Sequence, residues 1–417
     1  MPPKRSHTQK KTNPPIAAAT SAMADCVLPQ EIMFNIVTRL PVKSIHRFKA
    51  VCKPWCKVFV TPKFMKAHHA QLSRNRDNQS VAVYSFADKP GHIMSLYRVE
   101  PNEELPINLG HPYPKHLYLM DFVGCVNGLL CLACPVHLEP MDCQWIELWN
   151  PALKLSKSVP VPKLRAGYGV LASIGLGYDD ENDDFKVVRI VHVEKKKKGK
   201  ITNIAEVEVY SANSNSWKMI HVGFQFSVFQ TKNQAIVNGN PYWVANADEN
   251  DVLVMFDVTK MEFKIVPLTG LNFKKGEHVK VPFVDWKGAI AALVYDKRVL
   301  SLDVWVFDDR RKVWIKNCSF GPIEVKVDRF VQCLKSGEVV GVCNDGKLIV
   351  LDADGVKKKI VIGGADKGKF QICGYTESLA YFKGMEKVKA MPRSDDMVER
   401  LGQVIRFAML LNDRSKR

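Results

Sequence analysis

The chain has 417 residues, 46% of them hydrophobic and 25% charged, with a formal net charge of +17 and eleven cysteines. It is too long for one ordinary core and too apolar for a disordered chain, which predicts two domains or a small module joined to a larger one. No apolar run approaches the roughly 18 residues needed to span a bilayer, AIAALVY at 289–295 being among the longest, so the sequence predicts a soluble protein.

The cysteines are odd in number and mostly sit in apolar runs, as Cys125, Cys131, Cys333 and Cys343 do. That pattern suits buried thiols in a reducing compartment, cytoplasm or nucleus, better than a disulfide framework. The basic excess gathers at Lys4, Arg5, Lys10 and Lys11, in KKKKGK at 195–200, in KKK at 357–359, and at Arg414, Lys416 and Arg417. Clusters in tails and insertions read as solvated segments, with nuclear import or phosphate contact as the alternatives.

Residues 1–24 hold four basic side chains and no acid among many Ala, Pro, Ser and Thr, which predicts a disordered basic extension. An organellar transit peptide has a similar composition. Met23, however, opens MADCVLPQEI, as expected if residues 1–22 are an upstream extension.

Residues 25–72 read as a small all-helical module. Ile32, Ile36 and Leu40 recur four apart with Met33 and Val37 beside them, an amphipathic stripe. Pro29 suits the start of that helix, and Pro41 stops it, because proline lacks an N–H and its ring clashes with the preceding turn. Val42, Ile45 and Phe48 define the apolar face of a second helix, against Lys43, His46, Arg47 and Lys49. Val51, Cys52 and Trp55 continue the apolar set; Pro54 predicts a third helix starting near it, broken at Thr61-Pro62. A unit of about 45 residues is near the lower limit for a self-sufficient core, so a partner surface is the missing part.

SRNRDNQS at 73–80 is a polar linker, and from Val81 to about 385 short β-like runs alternate with Gly, Asn, Asp and Pro. Five stretches share one design: IELWNPALKLSKSV, VEVYSANSNSWKMI, LVMFDVTKMEFKIV, LDVWVFDDRRKVWI and LIVLDADGVKKKIV. In each, a large residue (Trp149, Tyr210, Phe256, Phe307, Leu351) precedes a turn-former (Asn150, Ser211, Asp257, Asp308, Asp352). Such side chains bond to their own backbone and start a turn, so each stretch predicts a β-hairpin. Seven residues beyond the large position stand Trp217, Phe263 and Trp314, placed to pack across their hairpins; the first and last copies lack this aromatic. Gly128, Gly177, Gly239, Gly288 and Gly337 precede the hairpins at intervals of 49, 62, 49 and 49 residues, the long interval containing KKKKGK.

A period near 50 with several short strands per unit is the signature of a β-propeller. Five units are visible, and a sixth can be assembled from FQICGYTESLAYF at 370–382 and VAVYSFADKPGHIMSLYRV at 81–99, closing the ring with strands from both ends. The expected fold is thus a small all-α module followed by an all-β propeller of about six blades over 81–385, with a β-sandwich as the alternative. In 386–417, Val398, Leu401, Val404, Ile405, Ala408 and Leu411 fall at helical spacing after Asp395 and Asp396. They predict a C-terminal amphipathic helix and basic tail, packed back on the body or offered to a partner or membrane surface.

No catalytic constellation emerges. GLGYDD and GGADKGKF lack the Walker spacing and its lysine–hydroxyl ending. His68-His69, His111 and His116 have no H-E-x-x-H and no carboxylate partner, and read as exposed or capping. Asp179, Asp180, Glu181, Asp183 and Asp184 lack the glycine and final glutamate of a calcium loop and read as a hairpin turn. Cys131 and Cys134 form a C-x-x-C near Cys125 and Cys143, but no second pair completes a zinc site. The expectation is no catalytic residue, no metal and no cofactor.

The order LP-x-E-I, then I-x-x-R-LPVKSI-x-RFK-x-VCK-x-W, resembles the F-box, departing from it only at Pro54 and Cys56, neither of which removes an apolar anchor. Behind it, NGLLCL, LWNP, GLGYDDENDDFKVVRI, VEVYSANSNSWK, the NG-x-x-YWVA run and VMFDVTKMEFKIVPL look like successive motifs of the plant F-box-associated, kelch-like interaction domain, from about Phe122 to Phe382. The resemblance implies a non-enzymatic substrate-recognition subunit of an SCF-type ubiquitin ligase. Its F-box would dock on a Skp-type adaptor, and through it on cullin and RING subunits, while the β domain binds an unidentified protein target. Adaptor contacts are implied at Leu28, Pro29, Ile32, Ile36, Leu40, Pro41, Val42, Ile45, Phe48, Val51, Cys52 and Trp55, some of which must form the module's own core. The alternative is a basic nucleic-acid-binding or scaffold protein, disfavoured because the lysine runs lack interleaved aromatic platforms; a glycosidase-like propeller lacks a carboxylate pair.

Overall fold

The computed structural model describes residues 29–87, 91–99, 106–109, 121–134, 145–162, 170–197, 200–228, 235–271, 281–352, 354–360 and 370–388. Leu28, the N-terminal extension, His111, His116, Cys143 and the helix expected over 395–411 lie outside the described residues.

Among the described residues the N-terminal module has four helices, α1 (Gln30–Val37), α2 (Val42–Phe48), α3 (Lys53–Val58) and α4 (Pro62–Arg74). A proline marks the start of each: Pro29 and Pro41 stand just before α1 and α2, while Pro54 and Pro62 lie in the first turn of α3 and α4. A missing N–H is harmless there, because first-turn N–H groups have no intrahelical acceptor. Thr61-Pro62 therefore starts a fourth helix as well as ending the third, and Thr61 Oγ1 caps it by accepting from Phe64 N at 3.3 Å. Val37, Val42, Ile45, Phe59, Phe64 and Leu72 fill the core. Phe64 is at its centre, with ring contacts to Phe34 at 5.6 Å and Phe59 at 4.9 Å.

Six antiparallel sheets follow as the blades of a propeller. Blade 1 joins β1 (Ser80–Ala87), β2 (Gly91–Arg98) and β3 (Ile107–Asn108) to β25 (Phe370–Tyr375). Blade 2 is β4 (Asp121–Val126), β5 (Leu129–Cys134), β6 (Trp145–Asn150) and β7 (Leu155–Val159), with β26 (Glu386–Lys387) on its outer edge. Blade 3 is β8 (Val170–Asp179), β9 (Asp184–Lys197), β10 (Lys200–Ser211) and β11 (Ser216–Ile220). Blade 4 is β12 (Ser227–Val228) and β13 (Ala235–Val237), both on β14 (Asn240–Ala247), then β15 (Asn250–Asp257) and β16 (Glu262–Pro267). Blade 5 is β17 (Phe283–Trp286), β18 (Ala289–Asp296), β19 (Ser301–Asp308) and β20 (Val313–Phe320); blade 6 is β21 (Val327–Cys333), β22 (Val339–Cys343), β23 (Leu348–Asp352) and β24 (Gly355–Ile360).

The ring closes as the sequence predicts, by pairing of the two ends: β25 runs along β1 from Ser80↔Tyr375 to Ser85↔Phe370. One apolar cluster fills each gap between neighbouring blades. Side chains alternate across a strand, so one strand serves two gaps. Val187 packs toward blade 2 with Val123 and Leu148, whereas Val188 packs toward blade 4 with Trp243 and Val254. Burial on both sheet faces around a closed ring rules out the β-sandwich.

The five predicted hairpins are the third-to-fourth-strand connections of blades 2 to 6. Each turn-former works through its side chain. Asn150 Oδ1 accepts from Leu153 N (3.2 Å), Ser211 Oγ from Ser214 N (3.2 Å), Asp257 Oδ1 from Lys260 N (3.0 Å), Asp308 Oδ1 from Arg310 N (2.9 Å) and Asp352 Oδ1 from Asp354 N (2.9 Å). Tyr210 and Trp217, Phe256 and Phe263, and Phe307 and Trp314 are directly opposed, with ring centroids 5.5, 4.8 and 5.3 Å apart. Two of these tryptophans also reach the preceding blade: Trp217 Nε1 donates to Pro160 O at 2.5 Å and Trp314 Nε1 to Pro267 O at 2.8 Å.

The glycine register needs one correction. Gly128, Gly239, Gly288 and Gly337 lie in first-to-second-strand turns at φ of 71°, 78°, 87° and 99°, where a side chain would be strained. Gly177 instead lies inside β8, where an added Cβ would stand 2.4 Å from Val258 Cγ1 and 2.9 Å from Gly239 O. It is there because blade 4 packs so closely. The matching turn of blade 3 lies at 180–183, with Asp183 at φ 51°, so the 62-residue interval is not a turn-to-turn distance.

Candidate docking surface

Antiparallel alternation sends the first-to-second and third-to-fourth turns of every blade to one end of the ring. The helical module sits against that end. Leu379, in the segment leaving β25, is 1% exposed and completes the module's core, with Ala152 and Leu153 from the β6–β7 turn packed beside it. Asn150 holds the segment, its Nδ2 donating to Ser378 O at 3.1 Å and Ala380 O at 2.9 Å. Lys66 on α4 donates to Asp180 O at 2.6 Å, pairs with the Asp180 carboxylate at 3.2 Å and lies over the Tyr178 ring. Ser336 Oγ donates to Gln79 Oε1 at 2.9 Å, which ties the linker to a turn of blade 6.

His68 is fully buried, not exposed, and acts as a cap: its Nε2 donates to Leu40 O at 2.8 Å, joining α4 to the end of α1. Burial holds its imidazole below the ordinary value. Burial, aided by Lys335 and His68, pushes His69 down to about 3. Both rings are therefore neutral near pH 7 and serve packing.

The structure divides the predicted docking residues into two sets. Val42 and Ile45 are buried in the module's core, with Leu40, Phe48 and Trp55 packed half-buried around it. Pro29, Pro41 and Cys52 are exposed, as are Ile32 (46%), Ile36 (46%) and Val51 (67%). Helix α1 is thus apolar on two sides. Phe34 and Val37 face inward, and Ile32 and Ile36, one turn apart, face out. Val60, 50% exposed, joins the uncovered apolar side chains without having been singled out in the sequence. Leu379 and Lys66 left no sequence signal at all, because their partners lie far along the chain.

The acidic run forms the β8–β9 turn, as its composition suggests. Within it, Asp179 is fully buried and accepts from Lys186 Nζ at 2.5 Å, Asn182 Nδ2 at 2.8 Å and Thr259 Oγ1 at 3.0 Å. Burial alone would raise its pKa, but these donors outweigh it and bring the carboxyl down to about 2. Lys186 also donates to Val258 O at 2.8 Å, so the pair bolts blade 3 to blade 4. Cys131 of the C-x-x-C is buried, and that burial, aided by Glu147, pushes its thiol pKa up. Among the described residues, no three His, Cys, Asp or Glu side chains gather as a metal site, and no helix is long and apolar enough to cross a membrane.

A four-helix module with an uncovered apolar face, fixed to one end of a six-bladed ring, is the architecture of an F-box joined to a propeller. Residues 26–66 match the F-box domain and residues 93–382 the F-box associated beta propeller domain. The chain belongs to the F-box-associated β-propeller family. Its relatives include an F-box/kelch-repeat protein of Arabidopsis thaliana, 27% identical over 305 residues, covering 69% of this chain and 77% of that one. An F-box/WD-40 repeat-containing protein of the same plant is 27% identical over 306 residues, covering 71% and 68%. Among solved structures, TolB from Acinetobacter baumannii is similar over 76% of this chain and 73% of its own, with a TM-score of 0.43 and 10% identity.

Proposed function

We propose that this protein is the substrate-recognition subunit of an SCF-type ubiquitin ligase. The F-box docks on a Skp-type adaptor, which carries cullin and RING subunits, and the propeller holds a protein target. The observation that carries this reading is the exposed set Ile32, Ile36 and Val51 on a module whose own core is already complete. Apolar side chains left uncovered on a small folded unit mark an interface. The chain's part in the reaction is proximity: tethering raises the concentration of the target's lysines around a ubiquitin thioester held by another subunit, so the receptor needs no nucleophile.

The test is an Ile32→Glu/Ile36→Glu variant titrated against purified Skp-type adaptor. Buried interface anchors each contribute about 2 kcal/mol or more, so binding should weaken by at least roughly a thousandfold while helix content holds. Unchanged affinity would remove the docking assignment. Changing Leu40 and Pro41 is a poorer test, because Leu40 packs on the module's own core.

A further inference from the structure

Among the described residues, blade 3 carries an element that the other blades lack. Strand β9 pairs with β8 only from Asp184 to His192, and β10 pairs with β11 only from Val207 to Ser211, yet β9 and β10 remain paired out to Lys197↔Lys200. The extra length is a two-stranded arm. It springs from a second-to-third-strand connection, so it stands at the end of the ring opposite the helical module. Lys195, Lys196, Lys197 and Lys200 occupy its outer part, while Glu194 and Glu206 lie nearer the blade.

Two further features meet at the base of the arm. From Lys200 to Ala205, β10 has no strand on its β11 side among the described residues. An uncovered strand edge presents a row of N–H and C=O groups that a further strand can pair with. The chain leaves β11 after Ile220, and between β10 and that departing segment lies a groove of about 720 Å³. Ala205, Met219, Ile220, Val222 and Phe224 are among its lining residues, and Met219 is 64% exposed.

We infer that the arm of blade 3 captures an extended, acidic polypeptide segment, which adds as a strand along β10 and seats an apolar side chain in the groove beside Met219. The lysines select for negative charge, the strand edge for an extended backbone, and the groove for an apolar anchor. Together they fit a protein segment better than a nucleic acid, because the arm's described residues, 193–197 and 200–206, contain no aromatic on which bases could stack. This deepens the reading of the propeller as the target-binding domain and rests on it for its biological meaning. The binding itself does not depend on adaptor docking.

The experiment uses the full-length protein and a short labelled peptide in which Glu alternates with Val or Thr, followed by fluorescence anisotropy. A charge-reversed arm (Lys195→Glu, Lys196→Glu, Lys197→Glu, Lys200→Glu) should weaken peptide binding roughly tenfold or more. Arginine at the same four positions should preserve it, and Met219→Asp should weaken it roughly fivefold. Adaptor affinity, measured on every variant, should stay unchanged, which separates this result from failure of the docking assignment. If the charge-reversed protein loses adaptor binding through misfolding, the Met219→Asp and arginine variants decide. The inference is overturned if wild type does not bind the peptide, if charge reversal or Met219→Asp in a folded protein leaves affinity within about twofold, or if a single-stranded RNA oligomer displaces the peptide and binds more tightly.

Discussion

Individual buried ionisable residues set how this protein responds to acid. His68 and His69 are held uncharged in the fold, so the unfolded chain takes up protons at the ordinary histidine value of 6.5 while the folded chain does not. Their contribution to stability is present above that value and is withdrawn as pH falls below it. Asp179 behaves at lower pH: its folded value of about 2 lies under the ordinary 3.8, so its contribution is full above about pH 4 and is lost as pH falls toward 2. Acidification should therefore loosen the helical module first and the seam between blades 3 and 4 later. Hydrogen exchange corrected for intrinsic rates checks this: protection of α1–α4 should fall between pH 6.5 and 5, with β8 and β9 still protected. Simultaneous loss would show that the two parts are not separable.

Among the elements, the hairpins explain why so much of the propeller was legible. Asn150, Ser211, Asp257, Asp308 and Asp352 make local bonds whose partners lie two or three residues away, and local chemistry is visible in local sequence. Gly177 hides its role for the opposite reason. Its requirement comes from Val258, in the next blade, and glycine looks the same whether a turn or a neighbour demands it. The two-sided helix α1 was legible as a helix but not as two faces, since Phe34, Val37, Ile32 and Ile36 are all apolar. Trp314 joins blade 5 to blade 4. It packs on Phe307 and Phe283 and donates to Pro267 O, so Trp314→Ala should cost about 3–5 kcal/mol in urea denaturation. Trp314→Phe, which keeps a ring but loses the donor, should cost markedly less. Equal losses would mean that the hydrogen bond, not the packing, holds blade 5 to blade 4.

For the whole molecule, the C-terminal part of the chain is used three times within twenty residues. β25 closes the ring on β1, Leu379 fills the helical module, and β26 borders blade 2. The surplus apolar surface read in the first helices is thus shared between an intramolecular partner and an outer face. That division could not be read from sequence, because Leu379 lies more than three hundred residues from the core it completes. Leu379→Ala should destabilise by about 2–4 kcal/mol and raise exchange in α1–α4 ahead of exchange in blades 4 and 5. A chain ending at residue 369 should lose ring closure as well, and migrate as aggregate in size-exclusion chromatography. A monodisperse product from that shorter chain would show that the remaining blades stand without β25.

The seat of Leu379 has a consequence for the order of events during synthesis. The helical module leaves the ribosome before the propeller, yet the residue that completes its interior is made only after blades 2 to 6. A chain caught midway through the propeller carries an F-box whose interior is unfinished. The proposed adaptor docking is therefore expected to await a finished ring. Ribosome-bound chains halted before residue 370 should fail to retain the adaptor, and chains released after residue 388 should hold it; capture of the halted chains would show that the first helices mature unaided.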